Sequence, residues 1–236
     1  MRVLVTRPPQ PGARTAERLA AMGHAPLMLP LFEPMHDGEK ALAGLAETDG
    51  PIAVTSAEAI RAMTEQPTAG RAPYLNRPLF AVGDATAEQA KTAGFDNVIA
   101  STGNGADLAD LMADGTRTPV LYLAGSPRAK TFESRARKIG LAVIVVECYR
   151  MQRLHVPVEI LRNLFADQAP DSILFYSRQT AQGFFALHEI ATNLDALIGI
   201  RLLCLSNAVA DAVPPELQGH VTIAKTPDED SLLSLL

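Results

Sequence analysis

The stretch Val54-Thr55-Ser56-Ala57-Glu58 sets two hydroxyls where an apolar run gives way to a helical pattern. A strand end that meets a helix start presents free N–H groups at the positive end of the helix dipole, which suits a carboxylate or a phosphate. An ordinary N-cap uses the same residue types, and for this stretch alone that plainer explanation is the stronger. Phe175-Tyr176-Ser177 repeats a hydroxyl at an equivalent strand end, and two such termini facing one cleft favour a ligand. Val82-Gly83-Asp84-Ala85-Thr86 is a third turn of this kind. There Gly83 admits close backbone approach and Thr86 falls in the first helical turn. Tyr149 is the most suggestive residue, because a phenol with an ordinary pKa of about 10 can donate a proton or a hydrogen bond at neutral pH. Packing is the common alternative for such a ring. Gly103-Asn104-Gly105-Ala106-Asp107 enters a helix, and a plain turn explains it equally well.

Several chemistries are missing. No G-x-G-x-x-G follows a strand, and there is no G-x-S-x-G elbow, P-loop or H-E-x-x-H. The first strand ends in Thr6-Arg7-Pro8, without an acidic pair for magnesium. Five scattered histidines and two cysteines form no cluster, so a structural metal site is not expected. Cys148 and Cys204 both sit in buried-strand patterns and read as core thiols. A formal charge of −5 argues against a general nucleic-acid binder. Arg7, Arg128, Lys130, Arg150 and Arg178 nevertheless lie near strand ends, where they could make a locally basic cleft. Arg2-Val3-Leu4-Val5-Thr6 enters a strand pattern at once, with no apolar leader. No apolar run approaches the ~18 residues of a membrane span. The expectation is a cytoplasmic protein that does not bind membranes and acts as a monomer.

The elements that must position these groups alternate between short apolar runs and helical patterns, the signature of βαβ units and a parallel sheet. Strands are expected at 2–6, 26–30, 51–55, 79–82, 97–100, 119–123, 142–148, 172–176, 201–205 and 221–224. Helices are expected at 11–22, 39–47, 57–65, 85–93, 106–113, 128–138, 157–166, 178–188, 207–213 and 229–235. Gly23, Gly94 and Gly140 mark helix ends, and Asp228 or Pro227 starts the last helix.

The pattern also occurs twice. Val3-Leu4-Val5 and Val120-Leu121-Tyr122 open similar segments that run without a gap to Gly23 and Gly140. Ser56 matches Ser177, and Gly83 matches Ser206, each offset by about half of the 236 residues. One duplication explains this better than a solenoid, which needs at least about three short repeats. The fold expected is α/β: two flavodoxin-like parallel-sheet domains formed by internal duplication and joined by a two-stranded linker. The first comprises 1–32 and 153–236, the second 36–148, with 33–35 and 149–152 as linkers. Tyr149 then stands at the crossing and borders the cleft, while Phe32 holds the matching place in the other copy.

Taken together, these segments resemble the uroporphyrinogen-III synthase family. Val3-Leu4-Val5-Thr6-Arg7-Pro8, Leu29-Pro30-Leu31-Phe32, Val54-Thr55-Ser56-Ala57, Ala81 through Ala87, Val146-Glu147-Cys148-Tyr149-Arg150, Phe175-Tyr176-Ser177 and Thr226 through Leu233 fall in the family's order and spacing. The resemblance spans nearly the whole chain and rests on joint order, since each motif alone is weak. It implies that linear hydroxymethylbilane loses its hydroxyl as water, cyclises, and has its last pyrrole ring inverted through a spiro intermediate. The product would be uroporphyrinogen III, formed without metal or cofactor. It further implies that Tyr149 assists departure of the hydroxyl. Thr55, Ser56, Gly83, Thr86 and Ser177 match positions that hold substrate carboxylates or shape the cleft, with Arg7 as a counter-charge. Where many relatives have a Gly and a Thr, this chain reads Ser206-Asn207-Ala208-Val209, so anion contacts there fall to Ser206, Asn207 or backbone. Arg178 stands where relatives often carry proline or a small residue.

The rival expectation is a two-domain binding or regulatory protein that closes over an acidic metabolite without chemistry. A sugar- or nucleotide-handling α/β enzyme is a third, but it lacks its phosphate loop.

Overall fold

The computed structural model describes residues 1–113, 118–166 and 169–236. They divide into two compact units, Met1–Glu33 with Gln152–Leu236, and Pro34–Met151. The strands are β1 (Arg2–Val5), β2 (Ala25–Met28), β3 (Phe32–His36), β4 (Ile52–Val54), β5 (Leu79–Val82), β6 (Val98–Ser101), β7 (Val120–Ser126), β8 (Val143–Arg153), β9 (Ser172–Phe175), β10 (Arg201–Cys204) and β11 (Val221–Ile223). The helices are α1 (Pro9–Ala21), α2 (Gly38–Glu47), α3 (Ala57–Thr64), α4 (Thr68–Arg71), α5 (Asp84–Thr92), α6 (Gly105–Ala113), α7 (Thr131–Lys138), α8 (Val158–Ala166), α9 (Arg178–Phe185), α10 (His188–Ala191), α11 (Asn207–Ala210) and α12 (Glu229–Leu233).

In the first unit the sheet order is β11-β10-β9-β1-β2, parallel throughout. In the second it is β8-β7-β4-β5-β6, also parallel, with β3 beside β8 at the edge. The two sheets share one spatial plan. Chain order reverses between β1 and β9 in one and between β7 and β4 in the other. A parallel α/β sheet leaves a crevice outside the strand carboxyl ends at such a switch point.

The central strands are apolar because both of their faces are covered. Val3, Leu4 and Val5 are fully buried, as are Ile52, Ala53 and Val54. Alternation sends Ile52 and Val54 into one core layer with Ile60 and Met63 of α3, and Ala53 into another with Leu108 of α6 and Phe132 of α7. In the first unit Val3, Val5, Leu174 and Leu203 pack with Leu19 of α1 and Leu232 and Leu233 of α12. Burying each such side chain contributes about 1.5–3 kcal/mol.

Gly23 and Gly140 occupy φ values of +80° and +75° just beyond α1 and α7. In each case the following N–H reaches back five residues in the Schellman pattern, His24 to Leu19 O at 2.9 Å and Leu141 to Ala136 O at 2.9 Å. Asp228 caps α12 by accepting from Ser231 N–H at 2.8 Å.

Three expected helices differ from what is observed. The segment expected at 128–138 begins at Thr131, because Arg128 turns its guanidinium back onto the Gly125 carbonyl. The one expected at 178–188 ends at Phe185, and α10 follows as a separate turn. The one expected at 207–213 stops at Ala210, short of Pro214 and Pro215. The segments expected as linkers lie in β3 and β8, and the chain passes between units inside these strands. Among the described residues no helix is long and apolar enough to cross a membrane, and no His/Cys/Asp/Glu group could hold a metal ion.

Candidate functional site

At the carboxyl end of β4, Ser56 adopts extended backbone and its hydroxyl accepts from Glu58 N–H at 3.2 Å, capping α3. Thr55, one residue earlier, shares a 2.9 Å hydrogen bond with the hydroxyl of Tyr122 on β7. The switch point of this sheet is thus bridged by two hydroxyls. Burial raises the Tyr122 phenol, with Thr55 acting in the other direction.

Tyr149 lies on β8, half-buried, against the core layer of Val54, Leu123 and Cys148. Burial pushes its phenol up to about 12, and the neighbouring Ser56 hydroxyl opposes that shift. The group is therefore a protonated donor throughout the neutral range. It borders an open cavity of about 610 Å³ whose walls include Met35, His36, Glu65, Ser126 and Arg150. The His36 ring meets Tyr149 edge-on, centroids 6.4 Å apart. Its Nδ1 lies 2.6 Å from Glu65 and its Nε2 2.9 Å from Glu58, which is itself paired with Arg61. A ring nitrogen at each carboxylate ties β3 to α3.

Gly83 and Thr86 sit at the end of β5, the strand beside β4. Gly83 has φ +77°, which a Cβ would strain, and no side chain caps α5. The first N–H groups of that helix have no side-chain partner, while Thr86 is buried at its base. The 103–107 loop is closed on itself. Asp107 accepts from Asn104 N–H at 2.7 Å and Asn104 accepts from Ala106 N–H at 2.7 Å, so the plain-turn explanation accounts for it.

In the first unit the corresponding strand ends carry a filled ionic network. Arg7 lies 4.1 Å over the Tyr176 ring and donates to Glu229 at 2.7 Å and to Thr15 at 3.0 Å. Glu229 also accepts from Thr15 at 2.6 Å, Tyr176 at 2.7 Å and Arg18 at 2.9 Å. Burial would raise the Glu229 carboxyl, but the donors Thr15, Tyr176, Arg7 and Arg18 outweigh it, and its pKa is lowered. The Tyr176 phenol is pushed up, first by burial and then by Glu229. Arg7 would have to exchange Glu229 for a ligand carboxylate to serve as its counter-charge. Ser177 caps α9, accepting from Thr180 N–H at 3.1 Å and sharing a 2.8 Å bond with the Thr180 hydroxyl. Ser206 precedes α11 without a side-chain cap bond, and Asn207 is the first residue of that short helix.

The structure thus gathers Thr55, Ser56 and Tyr149 in the second unit, with Gly83 and Thr86 one strand away. It gathers Arg7, Ser177, Ser206 and Asn207 at three adjacent strand ends in the first. Sequence reasoning did not single out His36, Glu58, Tyr122 or Gly125. For Tyr122 the signal was a polar ring inside an otherwise apolar strand. His36 carries no such signal, because its partners Glu58 and Glu65 are distant in sequence. Among the expected basic residues, Arg128 is spent on Glu133 at 2.6 Å and Glu147 at 2.5 Å, and Lys130 on Glu133 at 3.2 Å.

The family model described as uroporphyrinogen-III synthase HemD matches residues 13–234. Among solved structures, uroporphyrinogen-III synthetase from Helicobacter pylori is similar, with TM-score 0.65, 18% identity and coverage of 100% of this chain and 98% of that one. A mutant uroporphyrinogen III synthase from the extremely thermophilic bacterium Thermus thermophilus gives TM-score 0.60 at 18% identity, covering 99% of this chain and 96% of that one. At such identity these likenesses speak to fold. No curated protein matches the sequence.

Proposed function

This chain belongs to the uroporphyrinogen-III synthase family, and we propose that it converts linear hydroxymethylbilane to uroporphyrinogen III, as a cyclising hydro-lyase in tetrapyrrole biosynthesis. The family match over 13–234 carries the reading. The chain's own residues support it through Tyr149, a phenol held protonated at the edge of an open cavity. In this reading Tyr149 donates to the departing hydroxyl, which leaves as water. Closure then occurs on the substituted alpha carbon of the last ring, giving a spiro intermediate. The bond from that carbon to its original methylene bridge breaks, and the freed methylene re-bonds at the ring's other alpha carbon. That second carbon loses its proton, so that the ring is inverted.

The substrate carries acidic side chains on every ring, so backbone N–H groups and hydroxyls at helix starts are apt partners. Thr55, Ser56, Gly83 and Thr86 in one unit, and Arg7, Ser177, Ser206 and Asn207 in the other, are assigned to holding it. The uncapped start of α5 favours Gly83 and Thr86 for this work. Hydroxymethylbilane also closes unaided to the uninverted isomer. The protein's task is therefore orientation more than strong acid or base, which accords with the sparse catalytic signature. The same proposal takes the two units as copies of one duplicated α/β domain, with 33–35 and 149–152 as linkers, acting as a cytoplasmic monomer. The shared strand order of the two sheets supports the duplication.

The test generates hydroxymethylbilane in place with its own synthase, adds this protein, oxidises the products and separates the uroporphyrin isomers. Dominant type III is expected. Type I alone, at the rate of the protein-free control, would overturn the reading in favour of a non-catalytic binder of acidic metabolites.

A further inference from the structure

We propose that Gly125 and Arg128 are positioning residues that aim Tyr149, an inference that rests on the role given to that phenol above. β7 and β8 pair residue for residue up to Ala124 with Glu147, and the next pair is Gly125 with Tyr149. Cys148 is thus the extra residue of a β-bulge, a device that re-aims a side chain. In a regular strand Cys148 and Tyr149 would point to opposite faces. Here Val146 and Cys148 are buried in one core layer, and Tyr149 packs against that same layer. Without the bulge the phenol would lie on the other side of the sheet from Val54 and Leu123.

Two features hold the bulge. A Cβ added at Gly125 would overlap the Tyr149 ring and stand 2.6 Å from its hydroxyl oxygen, closer than real Cβ contacts come. Gly125 has no positive φ, so its requirement is the space taken by the ring and not backbone strain. Arg128 then grips both strands. Its Nη1 donates to the Gly125 carbonyl at 3.0 Å on β7 and to Glu147 at 2.5 Å on β8. Its Nε donates to Glu133 of α7 at 2.6 Å. This side chain is 12% exposed, so its bonds to Gly125 and Glu133 are partly shielded, while the one to Glu147 is open to solvent. A guanidinium fork can serve three acceptors in a fixed geometry, which an ammonium cannot.

The experiment uses the full chain labelled with 3-fluorotyrosine. The sequence has four tyrosines, and the Tyr149 resonance is the one lost in Tyr149→Phe. Gly125→Ala is expected to displace that resonance more than those of Tyr74 and Tyr176. It should lower kcat roughly 10–100-fold with KM little changed, as for a reacting group misplaced by about 1 Å. In the Tyr149→Phe background the same substitution should add little further loss. Arg128→Lys, which introduces no clash, should move the resonance and lower kcat to a smaller extent, and it decides the matter if Gly125→Ala does not fold. An unmoved Tyr149 resonance in both variants, or an equal further loss of turnover in the Tyr149→Phe background, would overturn the proposal. Absence of type III product from the unaltered protein would instead count against the proposed function, and the resonance shifts would still decide the clamp.

Discussion

The two units end their sheets in opposite ways. At the strand ends of the first, Arg7, Thr15, Arg18, Tyr176 and Glu229 satisfy one another. At those of the second, a bulged strand brings a half-buried phenol to an open cavity. The aromatic pair sharpens the contrast. Phe32 and Tyr149 each lie over a glycine, Gly183 and Gly125 respectively. Phe32 is buried against α9, whereas Tyr149 is half-buried and lines the open cavity. One plan of strands can thus be closed by internal ion pairs or left open, and the open unit is where a single hydroxyl can do chemistry. Substitution of Glu229 at the centre of the first network should therefore act mainly on stability, and substitutions around Tyr149 mainly on rate.

The largest effect is expected at Tyr149. Tyr149→Phe removes only the hydroxyl, so melting should change little while kcat falls about 100-fold, the lower end of what a positioned acid contributes. Some turnover should remain, because orientation survives. With the phenol pushed up to about 12, its ionisation should leave kcat flat up to about pH 10. Unchanged steady-state kinetics in the variant would erase the contrast between the units.

Glu229→Gln comes next and should leave turnover nearly intact. It takes the charge from a carboxylate that serves four donors, and should cost about 2–3 kcal/mol in denaturant unfolding. The pH dependence follows from the lowered native pKa of Glu229. Its contribution is fully present above the unfolded carboxyl value of about 4.3 and is lost as pH falls through the lower native value. The unaltered protein should lose stability in that acidic window, and the Gln variant should lose less there. An identical acid slope in the two would remove Glu229 from the account.

Much of the fold was legible in the sequence, because parallel strands buried on both faces read as short apolar runs and their helices carry clear caps and end glycines. The α4 turn and the short 3-10 segments Ala72–Tyr74, Leu194–Leu197 and Pro215–His220 were not, since their few residues carry no period. At the site, Thr55, Ser56 and Tyr149 were visible as polar groups at apolar run ends. Gly125 was not, because its requirement comes from a ring on the neighbouring strand, and no local pattern reports a bulge. Arg7 and Arg128 read as free cationic groups for the same reason. Their partners Glu229 and Glu147 are brought close only by the fold.

The smallest effect compares the two matching serines directly. Ser56 and Ser177 each cap a helix, and replacing either with alanine should cost about 1 kcal/mol. Ser177 also bonds the Thr180 hydroxyl, so its loss should be the slightly larger. Their kinetic signatures should separate. Ser56 lies beside Tyr149 and favours its ionised form against burial, so Ser56→Ala leaves a weaker acid and should lower kcat a few-fold. Ser177, assigned to a substrate carboxylate, should contribute equally to ground and transition states, so Ser177→Ala should raise KM with kcat unchanged. If both variants changed KM alone, Ser56 would serve only the substrate-holding role given it above, like its counterpart. The phenol would then depend for its alignment on the bulge at Gly125 and not on the helix start beside it.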